Sequence, residues 1–192
     1  MGAVGQGWHE PSWHDRGMTT RIAFLRAVNV GRRTVPMSRL VEVFGELGYE
    51  GAWTHINSGN VVFDATGGRA ALERTIEDAL QSTFGFEVTT FVRTATELDK
   101  ALRVDPFRLT DSDTYFITFL KDVPSAATAK ALAAASNDFD TLVVDGREVH
   151  WRMRGRSTET TLKKATWNLV GEHGSTSRNV TMLRKLQAKL GG

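Results

Sequence analysis

Residues able to hold an anion fall in three short stretches of this 192-residue chain. The first is Arg26, within an apolar run, and Asn29, Gly31 and Arg32, with Arg33 beside them, in the loop that follows it. Backbone amides at the start of a helix, flanked by guanidinium groups, suit a phosphate or a carboxylate. The same residues also suit an ordinary strand-to-helix connection, in which Gly31 supplies a positive φ. The second stretch is Asn57-Ser58-Gly59-Asn60, where asparagine and glycine serve a turn first. The third is Arg178-Asn179, at the mouth of a closing helix. Asn179 there is a natural N-cap, and Arg178 would add to the anion-attracting helix dipole. Taken together, Arg26, Asn29, Gly31, Arg32, Asn57, Ser58, Asn60, Arg178 and Asn179 are the candidate ligand-binding residues.

Other chemistries find less support. The chain has no cysteine, which excludes a disulfide framework, thiolate metal sites and a cysteine nucleophile. It has no G-x-G-x-x-G, Walker, H-E-x-x-H or G-x-S-x-G pattern. Its five histidines, at 9, 14, 55, 150 and 173, form no i, i+4 metal pair on a helix. His55 and Ser58 could be drawn as base and nucleophile, but no orienting acid adjoins them. Trp8-His9 and Trp13-His14, near Glu10 and Asp15, lie in a glycine-rich stretch without the rigid surroundings of a metal site. No catalytic residue is assigned, and neither a metal nor a cofactor is expected.

The elements that must position these residues follow from periodicity. Arg21 to Val28 reads as a buried strand, with Arg26 its odd member. Pro36 opens a helix in which Leu40, Val43, Phe44 and Leu47 share a face, and Gly48 stops it. Ala52 to Ile56 and Asn60 to Ala65 form a hairpin across Asn57-Ser58-Gly59. A helix over 69–84 and a strand over 87–93 complete a βαββαβ order, the ferredoxin-like plan. A short connecting helix covers 96–104.

The order then restarts. A strand over 114–120, an alanine-rich helix to about 135, a hairpin across Asp145-Gly146 and a helix over 162–170 lead to a closing helix over 181–190. The last strand of this second plait is not apparent, so the second half is expected to be a modified copy. The fold class is α+β: two ferredoxin-like α-β plaits, over 18–95 and 113–192. Residues 96–112 connect them, and residues 1–17 form a disordered extension.

The words LRAVNVGRRTVPM, THINSGNVVF, DPF and TSRN…KL, in this order and spacing, resemble the domain of unknown function 1697 family of bacterial proteins. Leu25, Arg26, Asn29, Val30 and Gly31 match its first motif, while Ala27 and Arg32 depart from glycine. Ser58 to Phe63 match the S-G-N-V-x-F motif in full. Arg178, Asn179, Lys185 and Leu186 keep the terminal motif, from which Val180, Thr181 and Met182 depart. The resemblance implies paired ferredoxin-like subdomains and carries no activity.

The net charge is +2, unevenly spread: residues 21–40 hold five arginines and no acid. From Asp140 onward there are 10 basic and 5 acidic residues. If the two ends of the chain meet, they make a basic face suited to an anionic partner. The leading expectation is a cytoplasmic protein that binds a phosphorylated small ligand in a cleft between the halves. The alternatives are single-stranded nucleic acid on a sheet face, through Phe24 and Phe63, or a protein–protein adaptor. No apolar run approaches the ~20 residues of a membrane-spanning helix.

Overall fold

The computed structural model describes residues 17–26, 28, 35–56, 59–170 and 174–191. The first half runs β1 (Thr19–Leu25), α1 (Met37–Glu46), β2 (Glu50–Thr54), β3 (Asn60–Ala65), α2 (Arg69–Phe84), β4 (Thr90–Thr94) and α3 (Ala95–Val104). The second runs β5 (Thr114–Phe119), α4 (Ala126–Ala134), β6 (Asp140–Asp145), β7 (Glu148–Met153), α5 (Lys164–Asn168), β8 (Thr176–Asn179) and α6 (Val180–Leu190). Each half builds one antiparallel four-stranded sheet, ordered β2-β3-β1-β4 and β6-β7-β5-β8. The two orders correspond strand for strand, so both halves are ferredoxin-like. Among the described residues no helix is long and apolar enough to cross a membrane.

Local signals explain most boundaries. Pro36 stands at the N-cap of α1, one residue before the helix rather than inside its first turn. Gly85, at φ 75, closes α2 in the left-handed conformation. Thr94 caps α3 through a capping box with Glu97. Strand β1 ends at Leu25, three residues short of the sequence expectation, so Arg26 lies outside it.

The second plait is more complete than its sequence suggests. Its missing strand is β8, four polar residues, TSRN, whose inward positions are Thr176 and Arg178. Apolar alternation cannot reveal such a strand. The real modification is α5, five residues long where the first half has the sixteen-residue α2.

Alternation along β1 separates two cores. Ala23 and Leu25 face α1 and α2, with Phe44, Phe63 and Ile76. Ile22 and Phe24 face the other half, where Ile117, Phe119, Leu98 of α3 and Leu183 of α6 meet them. At the centre the Phe24 and Phe119 rings stack, with centroids 4.2 Å apart and an interplanar angle of 10°. A third, smaller core lies outside the second sheet, around Leu132, Leu142 and Val149. Phe24 and Phe63 are both fully buried, in different cores, so neither presents a ring to a base.

Truncating Phe119 to alanine should cost about 3–5 kcal/mol. A double-mutant cycle with Phe24→Ala should return a coupling of about 0.5–1.5 kcal/mol. Urea unfolding measures both. A cost under about 1 kcal/mol would mean that the halves do not depend on this contact.

Candidate functional site

Two buried arginines flank the aromatic stack, related by the correspondence between halves. Arg93 on β4 pairs across from Ile22, and Arg178 on β8 pairs across from Ile117. The Arg93 guanidinium lies 5.3 Å from the Phe119 ring, and that of Arg178 lies 5.7 Å from the Phe24 ring. Each donates from Nη2 to the carbonyl that follows the stacked phenylalanine: Arg93 to Leu120 at 2.7 Å, Arg178 to Leu25 at 2.8 Å. Each donates from Nη1 to the carbonyl before it, Val92 or Ser177. Each also donates from Nε, at 2.6 Å, to the first residue of the third strand of the opposite half.

That last partner distinguishes the two ends. For Arg93 it is the carboxylate of Glu148; for Arg178 it is the amide of Asn60. At the first end Arg147 also pairs with Glu97, in the first turn of α3. The matching place in α6 is Met182, whose sulfur lies 3.7 Å from Asn60 Nδ2. Burial lowers the affinity of both arginines for their proton, bringing Arg178 down to about 10. One end is thus closed by carboxylates where the other carries an amide and a thioether.

Around Arg178 the chain comes together closely. Leu25 donates its backbone N–H to Gly59 at 2.8 Å. A β-carbon on Gly59 would fall 2.4 Å from Val28 Cγ2, and φ there is 71°, so only glycine fits. Asn60 is fully buried and holds the hairpin by donating to the His55 carbonyl at 3.0 Å. Arg26 is exposed, with its backbone N–H bonded to Thr89 O at 2.9 Å. Its guanidinium lies against Gly174, where a β-carbon would meet Nη1 at 2.6 Å and Cζ at 2.9 Å. Gly174 has φ 62, a backbone conformation that favours glycine, whereas the Arg26 side chain could swing away from a β-carbon.

The hairpin itself is unusual. Ile56 adopts φ 59 while 54% exposed, a conformation that β-branched residues avoid. His55 beside it is buried, and its Nε2 has no hydrogen-bond partner. Burial, followed by the charges of Lys189 and Lys185 on α6, pushes the His55 imidazole below its usual range. His150, fully buried against the Tyr115 hydroxyl, is pushed down chiefly by burial as well.

The structure therefore brings Arg26, Asn60, Arg178 and Asn179 to one edge of the interface. Asn179 caps α6, accepting from Thr181 N–H at 2.9 Å. Asn29, Gly31, Arg32, Asn57 and Ser58 lie outside the described residues, as do the histidine pairs near the N-terminus and Ser58 as a nucleophile. Arg178 acts first as a cross-link between halves. His55 and Gly174 belong to this edge without having been singled out as anion-binding residues. Gly174 carries no signal beyond being glycine, and the signal for His55 was its place next to the hairpin. A cavity of about 490 Å³ lies elsewhere, between α2 and Lys121–Asp122. Its lining is largely internally paired, through Arg69–Glu73 and Lys121–Glu77. Among the described residues no group of three or more acidic or histidine side chains could hold a metal.

The sequence model of a family described as "Protein of unknown function (DUF1697)" matches residues 18–150. The chain belongs to this family. The terminal motif at Arg178 lies beyond the matched stretch. Among solved structures, a conserved bacterial protein from Streptococcus pneumoniae is similar, with a TM-score of 0.72 at 19% identity. That likeness covers 91% of this chain and 99% of the other, and it shows the shared fold. Comparison with curated proteins found no match.

Two outcomes follow from the hairpin. Ile56→Asn should stabilise the protein by about 1 kcal/mol, because asparagine tolerates the left-handed region and no packed side chain is lost. Chemical denaturation reads this directly, and a destabilised variant would mean that Ile56 is not strained. The two depressed histidines set a pH dependence. As pH falls below the ordinary histidine value of about 6.5, the unfolded chain takes up protons before the native one. Their contribution to stability, fully present above that value, is then lost as pH falls toward the native values. Melting temperature should drop over this range, and less steeply in His55→Gln.

Proposed function

We propose that this protein binds a small phosphorylated ligand at the edge where β1 ends, the β2–β3 hairpin turns and α6 begins. One observation carries the reading. The exposed Arg26 guanidinium has no hydrogen-bond acceptor or acid in contact among the described residues and lies close over Gly174. An accessible guanidinium is a two-pronged donor for a phosphoryl group or a carboxylate. Three neighbouring features support it. Arg178 stands one residue across, bonded to the carbonyl of Leu25. The α6 N-terminus, with no acid in its first turn, adds a favourable dipole. The opposite end of the interface, built on the same plan, carries Glu148 and Glu97 where this edge has Asn60 and Met182. A chain without cysteine suits work in the reducing cytoplasm, and there we place it.

Titration calorimetry at low salt, with inorganic phosphate and a phosphorylated sugar, tests the reading. Binding of at least one is expected. Arg26→Glu should weaken it at least tenfold, in line with the roughly 1.5–3 kcal/mol of a charged hydrogen bond. Met182→Glu should do the same by installing the acid found at the other end. An acid in a first helical turn is favourable, but Met182 also packs against the inter-half core, so the melting temperature of this variant is measured alongside to show that it folds. Unchanged affinity in both variants would overturn the proposal.

A further inference from the structure

Arg26 accounts for one anionic group, and a second cationic feature lies on α6, beyond Arg178 and Asn60. Met182, Lys185 and Lys189 lie on one face of α6, at i, i+3 and i+7. Lys185 and Lys189 are exposed, and neither has a carboxylate within ion-pair distance among the described residues. Lys189 Nζ lies 5.8 Å from the Trp53 ring centroid on β2. His55, two residues along, meets the Trp53 ring edge-on at 88°. His55 is only 5% exposed, and its Nε2 is buried without a partner.

We infer that the ligand carries two anionic groups, and that His55, Lys185 and Lys189 receive the second. The inference rests on the Arg26 edge binding the first. A buried ring nitrogen with no partner is costly unless something completes it. Burial first, and then the charges of Lys189 and Lys185, disfavour a proton on the imidazole in the free site. An anion placed between the lysines reverses this balance and gives the nitrogen an acceptor. The two subsites are joined through shared residues. Asn60 donates to the His55 carbonyl and accepts from Arg178 Nε, and Met182 touches both Asn60 and the His55 side. The groups facing His55 are therefore Lys185, Lys189 and the Met182 backbone from α6, and Trp53 from β2, which His55 follows. The ligand class is a bisphosphate or pyrophosphate compound.

The test compares orthophosphate with pyrophosphate and with a hexose 1,6-bisphosphate, in the full-length protein and in a Lys185→Gln/Lys189→Gln variant. Both lysines are exposed, so the variant should fold, and its melting temperature checks this. The parent should bind at least one of the doubly charged probes tenfold or more tightly than orthophosphate. The variant should lose that preference while keeping its orthophosphate affinity. No preference in the parent, or a preference that survives in the variant, overturns the second subsite. A parent that binds none of the three probes overturns the Arg26 reading itself, and a variant that loses orthophosphate as well would mean that the lysines serve the first group.

Discussion

The burial of two guanidinium groups on either side of a single aromatic stack is the constraint on which the molecule depends. Removing a charge from water costs several kcal/mol unless its donors are satisfied. Arg93 and Arg178 meet that cost by donating into the opposite half, chiefly to the carbonyls of Leu120 and Leu25. Those carbonyls terminate the two central strands, so the arginines fix the relative position of the two sheets. The stack of Phe24 on Phe119 supplies apolar area between them. Hydrophobic burial alone tolerates sliding, whereas directed donors at both ends do not.

The same constraint produces the candidate site. A duplicated plan with two equivalent ends starts with two equivalent environments. One has become a lock, with Glu148 and Glu97 set against Arg93 and Arg147. The other presents Asn60 and Met182 and keeps Arg26, Lys185 and Lys189 facing solvent. A cross-link that must be rigid makes a good floor for a site, because its donors are already oriented before a ligand arrives. Arg178 contributes to the proposed site only indirectly, by fixing Leu25 and with it the place where Arg26 emerges.

Much of this was legible in the sequence. Strands β3 and β7 and helix α2 follow from hydrophobic period and turn residues, because their inward faces are apolar. Strand β8 was not legible, because its inward positions are a threonine and an arginine that pack through hydrogen bonds. The end of β1 at Leu25 is not legible, because the apolar run in the sequence continues through Ala27 and Val28. Polar type and loop position pointed to Arg26, Asn60, Arg178 and Asn179. Their division of labour, cross-link against exposed donor, depends on contacts between residues up to 153 positions apart in the chain. No local pattern encodes that.

Backbone strain points to the same edge. Among the described residues only Ile56 and Asp105 take positive φ without being glycine. Asp105 ends α3, and aspartate adopts that conformation at modest cost. Ile56 has no such excuse: it is β-branched, its side chain is largely in water, and no burial offsets its conformation. What holds it is its neighbour, since His55 is bonded to Asn60 through both N–H and carbonyl, and Asn60 is bonded to Arg178. The hairpin cannot relax without loosening the arginine cross-link. Strain kept by so firm a mounting lies next to an imidazole nitrogen and to Arg26, Lys185 and Lys189, which have no carboxylate partner among the described residues, and this fits the proposed site.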